Sequence, residues 1–242
     1  MNQSYQKYTA ADHEMWRKLF DRQMVQLPAI ASRAYLEGIE KVGFVAEHIP
    51  NFNAETNPRL QALTGWSVEV VPGLIPHRDF FEFLAHRRFP ASTWLRKPDQ
   101  LEYLEEPDMF HDTFGHVPLL TNQAFCDFMG DLSRVALRFM DVPEAIAQIG
   151  RLYWYTVEFG LIKEDGQTKI YGGGILSSAG ESEYCLSDAL PKYPFDVRTL
   201  LNTSYHIDHY QDHYFVINSY EQLYRSVPDI EEILAETYLA VG

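Results

Sequence analysis

The chain has 242 residues, of which 46% are hydrophobic and 22% are charged, a composition typical of a globular protein with one sizeable core. The formal net charge is −14 and the 20 lysines and arginines are scattered, so we expect no nucleic-acid partner. The N-terminal residues are polar, and the chain has no run of about 18 apolar residues, so we expect neither a signal peptide nor a membrane span. Cys126 and Cys185 lie far apart and outside any CxxC pattern, which favours two reduced thiols in a cytoplasmic protein.

Hydrophobic periodicity predicts helices along most of the chain, with a break at Pro28 in the first one and Thr9 or Asp12 as its N-cap. Alternation with β-branched residues predicts a strand over 66–71, and glycines indicate a hairpin or irregular segment over 166–178. The stretch 205–216 is strand-like. The predicted helices are 12–42, 58–63, 79–88, 106–115, 122–140, 142–163, 178–186 and 219 onward. The fold class is therefore predicted to be mainly α with a few short strands.

The segment 106–118 contains two histidines, His111 and His116, five positions apart. On an ideal α-helix this spacing separates two side chains by about 140°, so they would not share a face. Gly115 lets the helix end before His116, and Pro118 prevents it from continuing, so the second imidazole can turn back towards the first. The pair could then bind one metal ion, although two such histidines are also commonly just packed or exposed.

A third ligand is needed for a metal site, and Glu158 in the apolar, aromatic stretch 154–160 is the best candidate. An unpaired carboxylate buried there would cost roughly several kcal/mol. Either a metal ion or a lysine or arginine would remove that cost, and the residues alone leave both possibilities open. Two imidazoles and one carboxylate leave half of an octahedron vacant, which suits iron(II) that must bind oxygen.

Four longer segments resemble motifs of one known enzyme family, and their order and separations along the chain match as well. They are 71–81, 106–119, 153–161 and 171–178. With them the chain resembles the tetrahydropterin-dependent aromatic amino acid hydroxylases, and most closely the short bacterial phenylalanine 4-hydroxylases. The resemblance extends from about residue 16 to about residue 220. It implies a single aromatic amino acid hydroxylase-like catalytic domain and favours the metal over the ion pair.

The resemblance also implies a role for each matching residue. The expected iron ligands are His111, His116 and Glu158. The expected pterin-binding residues are Phe80, Leu74, Ile75, Tyr153 and Asp112. The expected substrate-binding residues are Arg96, Asp108, Trp154, Ser177 and Val216, with Arg96 taking the substrate carboxylate and Asp108 orienting Arg96 and the first histidine. Glu158, Tyr153 and Asp112 are expected next to the reacting atoms.

The implied activity is a monooxygenase that uses Fe(2+), tetrahydrobiopterin or a related tetrahydropterin, and O2 to hydroxylate an aromatic amino acid. Trp154 leaves little room for an indole and Val216 offers no partner for a phenol, so L-phenylalanine is the expected substrate and L-tyrosine the product. The alternatives are a tryptophan 5-hydroxylase, a phenylalanine meta-hydroxylase, or a non-catalytic metal-binding protein that retains the scaffold. A 2-oxoglutarate oxygenase is disfavoured because its His-x-Asp motif lies on a strand.

The family resemblance also bears on organisation. Animal members carry an N-terminal regulatory domain and a C-terminal coiled coil, whereas the residues here are accounted for by the catalytic region and 233–242 has no heptad repeat. We expect one catalytic domain over residues 1–242 with no regulatory domain and no tetramerisation tail. We further expect a cytoplasmic monomer that has no membrane partner.

Overall fold

The N-terminal region is helical, as the apolar periodicity predicts. The computed structural model describes residues 1–101, 106–207 and 209–239. Helices α1 (Ala10–Met24), α2 (Leu27–Ile30) and α3 (Arg33–Val42) follow one another. Thr9 and Asp12 form a capping box at the start of α1, in which each side chain accepts a hydrogen bond from the backbone N–H of the other residue. Pro28 lies in the first turn of α2, so the predicted break at this residue is confirmed.

The next region pairs two short strands. The elements are the π-helix π1 (Phe52–Thr56), α4 (Asn57–Leu63), β1 (Ser67–Val70), α5 (His77–Ala85) and β2 (Arg88–Ala91). Strands β1 and β2 run parallel, with Val68 opposite Phe89. The strand predicted over 66–71 is confirmed, but β2 was not predicted. The helix expected over 79–88 ends at Ala85, because Arg87 adopts a positive φ of 58° that turns the chain into β2.

The central region supplies two more π-helices. Short 3-10 helices lie at Pro98–Gln100 and Val117–Thr121, on either side of π2 (Phe110–His116). Helices α6 (Gln123–Arg138) and α7 (Pro143–Tyr153) follow, and π3 (Trp154–Glu158) continues directly from α7. The helix predicted over 142–163 is too long, because the chain leaves π3 at Glu158 and enters a strand at Leu161.

A mixed sheet and four helices complete the described chain. The strands are β3 (Leu161–Glu164), β4 (Gln167–Ile170), β5 (Lys192–Pro194) and β6 (Tyr214–Ile217), in the order β4-β3-β6-β5. Strands β3 and β4 are antiparallel, and the other two pairings are parallel. The helices are α8 (Gly173–Leu176), α9 (Ala179–Tyr184), α10 (Val197–Asn202) and α11 (Tyr220–Tyr238). The strand expected over 205–216 is thus confined to its last residues and Ile217.

The hydrophobic core anchors π2 by two of its aromatic side chains. The rings of Phe110 and Phe114 stack with centroids 4.6 Å apart, and the buried Trp16 and Phe20 pack against them. The Tyr35 hydroxyl donates to the Phe114 carbonyl at 2.8 Å, which satisfies a backbone group that would otherwise be buried without a partner. Because π2 is fixed from behind, its histidines keep a defined position on the other side.

The predicted fold class, mainly α with a few short strands, is confirmed. Over the described ranges, no helix has both the length and the apolar character needed to span a bilayer.

Candidate metal centre

The two histidines share one face of π2, for a reason that differs from the predicted one. The expectation that Gly115 ends the helix before His116 is wrong, because the helix includes His116. The expected start at Glu106 is also wrong, since π2 begins at Phe110. A π-helix bonds residue i to residue i+5, so side chains five positions apart lie nearly above one another. The spacing of His111 and His116 therefore fits one turn of this wider helix.

Gly115 is required by a close approach between π2 and α8. A Cβ atom on Gly115 would lie 2.5 Å from the carbonyl oxygen of Gly173, which no side chain could tolerate without movement of the backbone. Gly173 in turn packs against the imidazole of His116, where a Cβ would come within 2.4 Å of the ring. The two glycines thus bring α8 against the metal-ligand candidates.

The three predicted iron ligands converge. His116 Nε2 lies 3.2 Å from Glu158 Oε2 and His111 Nε2 lies 3.6 Å from the same oxygen. The two Nε2 atoms are 3.4 Å apart. Atoms that each bond one ion at about 2 Å at near right angles lie roughly 3 Å apart, so this triangle fits a metal ion with little adjustment. Among the described residues, this is the cluster of His, Cys, Asp or Glu side chains that could hold a metal.

The protonation of these side chains also fits a metal. Burial lowers the pKa of His111 to about 4, so its imidazole is neutral and able to coordinate at pH 7. Burial opposes the charged form of His116, but Glu158 raises the pKa of His116, and the same pairing lowers the pKa of Glu158. A divalent ion would take the place of the proton that this pair shares. In the described part of the chain no lysine or arginine forms an ion pair with Glu158, which argues against the second possibility that the sequence left open.

Ser177 fixes the orientation and the tautomer of His111. Its hydroxyl donates to the Gly173 carbonyl at 2.9 Å and lies 3.0 Å from His111 Nδ1. Because the hydroxyl hydrogen is already used, Ser177 accepts from an Nδ1–H, and the lone pair of His111 is left on Nε2. The structure therefore places Ser177 against a ligand, whereas its predicted contact with the substrate carboxylate stays a prediction.

Arg96 and Asp108 form a buried, two-pronged ion pair. Arg96 Nε and Nη2 donate to the two oxygens of Asp108 at 2.9 and 2.8 Å, and Asp108 is fully buried. Asp108 also accepts from the backbone N–H of His111 at 3.0 Å. Asp108 thus orients Arg96 and π2 together, through the backbone of His111. Among the described residues, the remaining guanidinium hydrogens make no further hydrogen bond.

Of the candidate pterin residues, Tyr153 and Asp112 lie near the metal-ligand candidates. The rings of Phe80 and Tyr153 meet edge to face with centroids 5.5 Å apart. Asp112 accepts from the backbone N–H of Ser92 at 2.7 Å, and burial raises the pKa of Asp112 to about 7. Leu74 and Ile75 lie in the loop before α5, and Leu74 is 71% exposed. Phe80, Tyr153 and Asp112 thus offer an aromatic face and an acidic group, and the pterin-binding roles of Leu74 and Ile75 stay predictions.

Aromatic rings form a wall next to Glu158. Trp154 stacks on Tyr205 with centroids 4.4 Å apart and packs against Phe159 at 4.8 Å. The indole Nε1 of Trp154 is buried without a hydrogen-bond partner among the described residues. Val216 lies in β6 opposite Leu161, and Leu161 is close in the chain to Phe159 of this wall. The predicted substrate residue Trp154 is therefore the first residue of π3, and Val216 lies in a strand that pairs with β3, the strand that follows π3.

Two contributors were not predicted from the sequence. Phe89 in β2 covers the imidazole of His116 with centroids 5.2 Å apart. Tyr205 covers Trp154, although no spacing connects them. Both contacts join segments distant in the chain, so periodicity carried no signal for them. The Phe89-Pro90 pair was visible only as the end of a helix.

Comparison with known proteins identifies the class. Residues 3–239 match the model of the biopterin-dependent aromatic amino acid hydroxylases, and the chain belongs to this family. It is 50% identical to a phenylalanine-4-hydroxylase of Ralstonia nicotianae over 244 aligned positions, covering 100% of this chain and 76% of that protein.

Two solved structures of the Chromobacterium violaceum phenylalanine hydroxylase are also similar. One contains iron(III) and the oxidised cofactor 7,8-dihydrobiopterin; it superposes with a TM-score of 0.91 at 46% identity, covering 98% of this chain and 86% of that one. Another contains iron and phenylalanine, with a TM-score of 0.89 at 44% identity and coverage of 98% and 87%. The resemblance inferred from the four motifs is confirmed.

Proposed function

We propose that this chain is an iron(II)- and tetrahydropterin-dependent monooxygenase that converts L-phenylalanine to L-tyrosine. The observation that carries the proposal is the triangle of His111, His116 and Glu158, in which the His111 and Glu158 side chains are 22% and 15% exposed and which lies next to an aromatic wall. Relatives named phenylalanine-4-hydroxylase, and a relative with bound iron and phenylalanine, support the choice of metal and substrate.

The residues divide into groups that hold the metal and the pterin. His111, His116 and Glu158 would hold the iron, and Phe80 and Tyr153 would receive the pterin ring. When bound, the ferrous ion and the tetrahydropterin supply the electrons that reduce dioxygen. Ser177 keeps His111 in the tautomer that can coordinate. Phe89 covers His116 and excludes water from that side of the ligand.

The substrate is recognised at its two ends. Arg96, held by Asp108, presents its free guanidinium hydrogens to the amino acid carboxylate. Trp154, braced by Tyr205 and Phe159, would confine the ring. The wall is apolar where a phenyl ring would lie, which favours phenylalanine over a phenol that needs a hydrogen-bond partner.

The deciding experiment offers phenylalanine, tyrosine and tryptophan side by side to the protein loaded with iron(II) and tetrahydrobiopterin, and identifies the position of each new hydroxyl. We expect tyrosine from phenylalanine, with strict dependence on iron and pterin. The variant Glu158→Gln should lose iron and activity, whereas Glu183→Gln, which changes an exposed carboxylate on α9, should behave as the unmodified protein does.

The other outcomes distinguish the alternatives. A 5-hydroxylated tryptophan or a meta-hydroxylated phenylalanine as the main product would replace the proposed substrate or ring position. Iron binding without hydroxylation of any of the three amino acids would favour a non-catalytic metal-binding protein. The single-domain organisation, the monomeric state and the cytoplasmic location stay predictions, and sedimentation velocity tests the second of these.

A further inference from the structure

A buried carboxylate outside the metal centre joins α9 to the chain that precedes β6. Glu181 is only 6% exposed, and its Oε1 accepts from the hydroxyl of Tyr214 at 2.8 Å. The backbone N–H of Gln211 also faces this carboxylate and lowers its pKa. Within the ranges that the structure describes, Glu181 has no lysine, arginine or histidine as an ion-pair partner. A carboxylate without a cation in such a position is costly, so its two donors need a structural reason.

The two donor groups belong to one segment, residues 205–207 and 209–214, which we call the wall segment. Gln211 closes it into a compact loop, because its side chain donates to the carbonyl of His206 at 2.7 Å and accepts from the N–H of the same residue at 3.1 Å. Tyr210 lies directly over Gly180, where a Cβ atom would come within 2.2 Å of the tyrosine hydroxyl. The wall segment therefore rests on α9, with Glu181 as its polar attachment.

The two ends of the wall segment lead to the two residues that are predicted to confine the substrate ring. At its start, Tyr205 stacks on Trp154 with an interplanar angle of 20°. At its end, Tyr214 begins β6, which carries Val216 two residues later. A displacement of the segment would move the ring that braces Trp154 and the strand that holds Val216. Glu181 itself belongs to neither surface.

We propose that Glu181 is a positioning residue that sets the ring selectivity of this enzyme by holding the wall segment on α9. The proposal rests on the proposed function, in which Trp154 and Val216 confine the substrate ring. The carboxylate acts through the Tyr214 hydroxyl and the Gln211 N–H and does not touch the substrate. Removing it would loosen the wall, so a wrong ring would be admitted more easily and the correct ring would be held less well.

The burial of Glu181 agrees with this role. The groups that face it are the Tyr214 hydroxyl, the Gln211 N–H and the buried thiol of Cys185, the residue that directly follows α9. Burial raises the pKa of Glu181 to about 7, against the two hydrogen bonds that lower it. Burial of this carboxyl group costs free energy, and both donor groups that face it come from one loop. We therefore expect Glu181 to hold that loop in position.

The test compares Glu181→Ala with Glu181→Gln, which keeps an acceptor, and with Glu183→Ala, an exposed glutamate on the same helix. For each iron-loaded variant we would measure kcat and KM for phenylalanine and tryptophan, and hydrogen exchange of the backbone amides of residues 205–213. We expect Glu181→Ala to lower the ratio of kcat/KM for phenylalanine to that for tryptophan by about tenfold or more, mainly through KM, and to speed exchange in the wall segment. Glu181→Gln and Glu183→Ala should keep both properties.

Equal selectivity and equal exchange in Glu181→Ala and Glu183→Ala, at equal iron content, would overturn the proposal. If Glu181→Ala does not fold, Tyr214→Phe removes one of the two hydrogen bonds and should shift both properties in the same direction by a smaller amount; no shift would again overturn it. If the unmodified protein hydroxylates none of the amino acids, the proposed function fails, and hydrogen exchange still decides whether Glu181 holds the wall segment.

Discussion

Replacing Ser177 with alanine tests whether an uncharged neighbour prepares His111 for the metal. The hydroxyl lies 3.0 Å from Nδ1 and donates to the Gly173 carbonyl, so it must accept the Nδ1 proton. In Ser177→Ala the neutral imidazole either keeps a buried Nδ1–H without a partner or moves its proton to Nε2, where it blocks coordination. An unsatisfied buried donor costs about 1–3 kcal/mol.

The expected result follows from that cost. A penalty of this size on the coordinating tautomer corresponds to a loss of about 10-fold to 100-fold in metal affinity, which is also the usual effect of removing a hydrogen-bond partner of a ligand. We would measure the affinity for Fe(II), and for Co(II) as a stable substitute, by competition with a chelator of known affinity. Ser187→Ala, at an exposed position, is the matched control.

The same measurement of metal affinity can also refute the role of Ser177. Metal affinity in Ser177→Ala equal to that in Ser187→Ala, with both proteins folded, would show that Ser177 does not select the tautomer of His111. A fall in phenylalanine affinity with unchanged metal affinity would instead assign Ser177 to the substrate carboxylate, as the family resemblance implies.

Three further predictions use other parts of the site. In Arg96→Lys a single amine replaces a planar guanidinium group that is held by two hydrogen bonds to the buried Asp108. Steady-state kinetics should therefore show KM for phenylalanine rising at least about tenfold. An unchanged KM would show that Arg96 does not bind the substrate carboxylate. Gly115→Ala places a Cβ 2.5 Å from the Gly173 carbonyl, so urea unfolding should show a loss of about 1–3 kcal/mol, and wild-type stability would contradict the packing. The folded-state pKa of Glu181, raised to about 7 by burial, means that the folded protein holds this proton more tightly than the unfolded chain does. The free energy of unfolding of the unmodified protein should therefore fall relative to Glu181→Gln as pH rises from about 4.5 to about 7, by up to about 3 kcal/mol; parallel pH profiles would exclude the shift.

The cluster of His111, His116 and Glu158 could be predicted from the sequence, but its local geometry could not. Histidines and a carboxylate in apolar surroundings are recognisable by residue type and by the order of the motifs. The π-helical turn that brings His111 over His116 has no such mark, because an α-helix and a π-helix draw on the same residues. The choice is made by tertiary contacts, including the Tyr35 hydrogen bond to Phe114 and the approach of Gly115 to Gly173.

The strands and the pocket wall were predicted least well, for a related reason. Strand β2 and the end of the helix that was expected to reach residue 163 are short segments, in which a few apolar residues fit either structure. The contacts of Tyr205 with Trp154 and of Tyr214 with Glu181 connect distant parts of the chain. Neither pairing follows from spacing, since each depends on how β6 is placed beside β3.

The short helix α8 and its C-cap residue Ser177 lie against all three predicted metal ligands, which bears on what iron does for the fold. In α8, the Gly173 carbonyl fixes Ser177 and hence His111, while the Gly173 backbone packs on the imidazole of His116. A Cβ on Gly174 would lie 3.2 Å from Glu158 Oε2. Because these contacts are independent of an ion, the ligands are held by the protein.

We therefore expect removal of iron by a chelator to abolish activity. The free energy of unfolding should fall only by the contribution of metal binding, and the melting temperature should fall accordingly. The helical circular dichroism and the slow hydrogen exchange of π2 and π3 should persist in the metal-free protein. Loss of cooperative unfolding after chelation would show instead that the ion organises the site. Since π2 is anchored in the core through Phe110 and Phe114, and α8 is held against it by Gly115, the first result is the one that the packing supports.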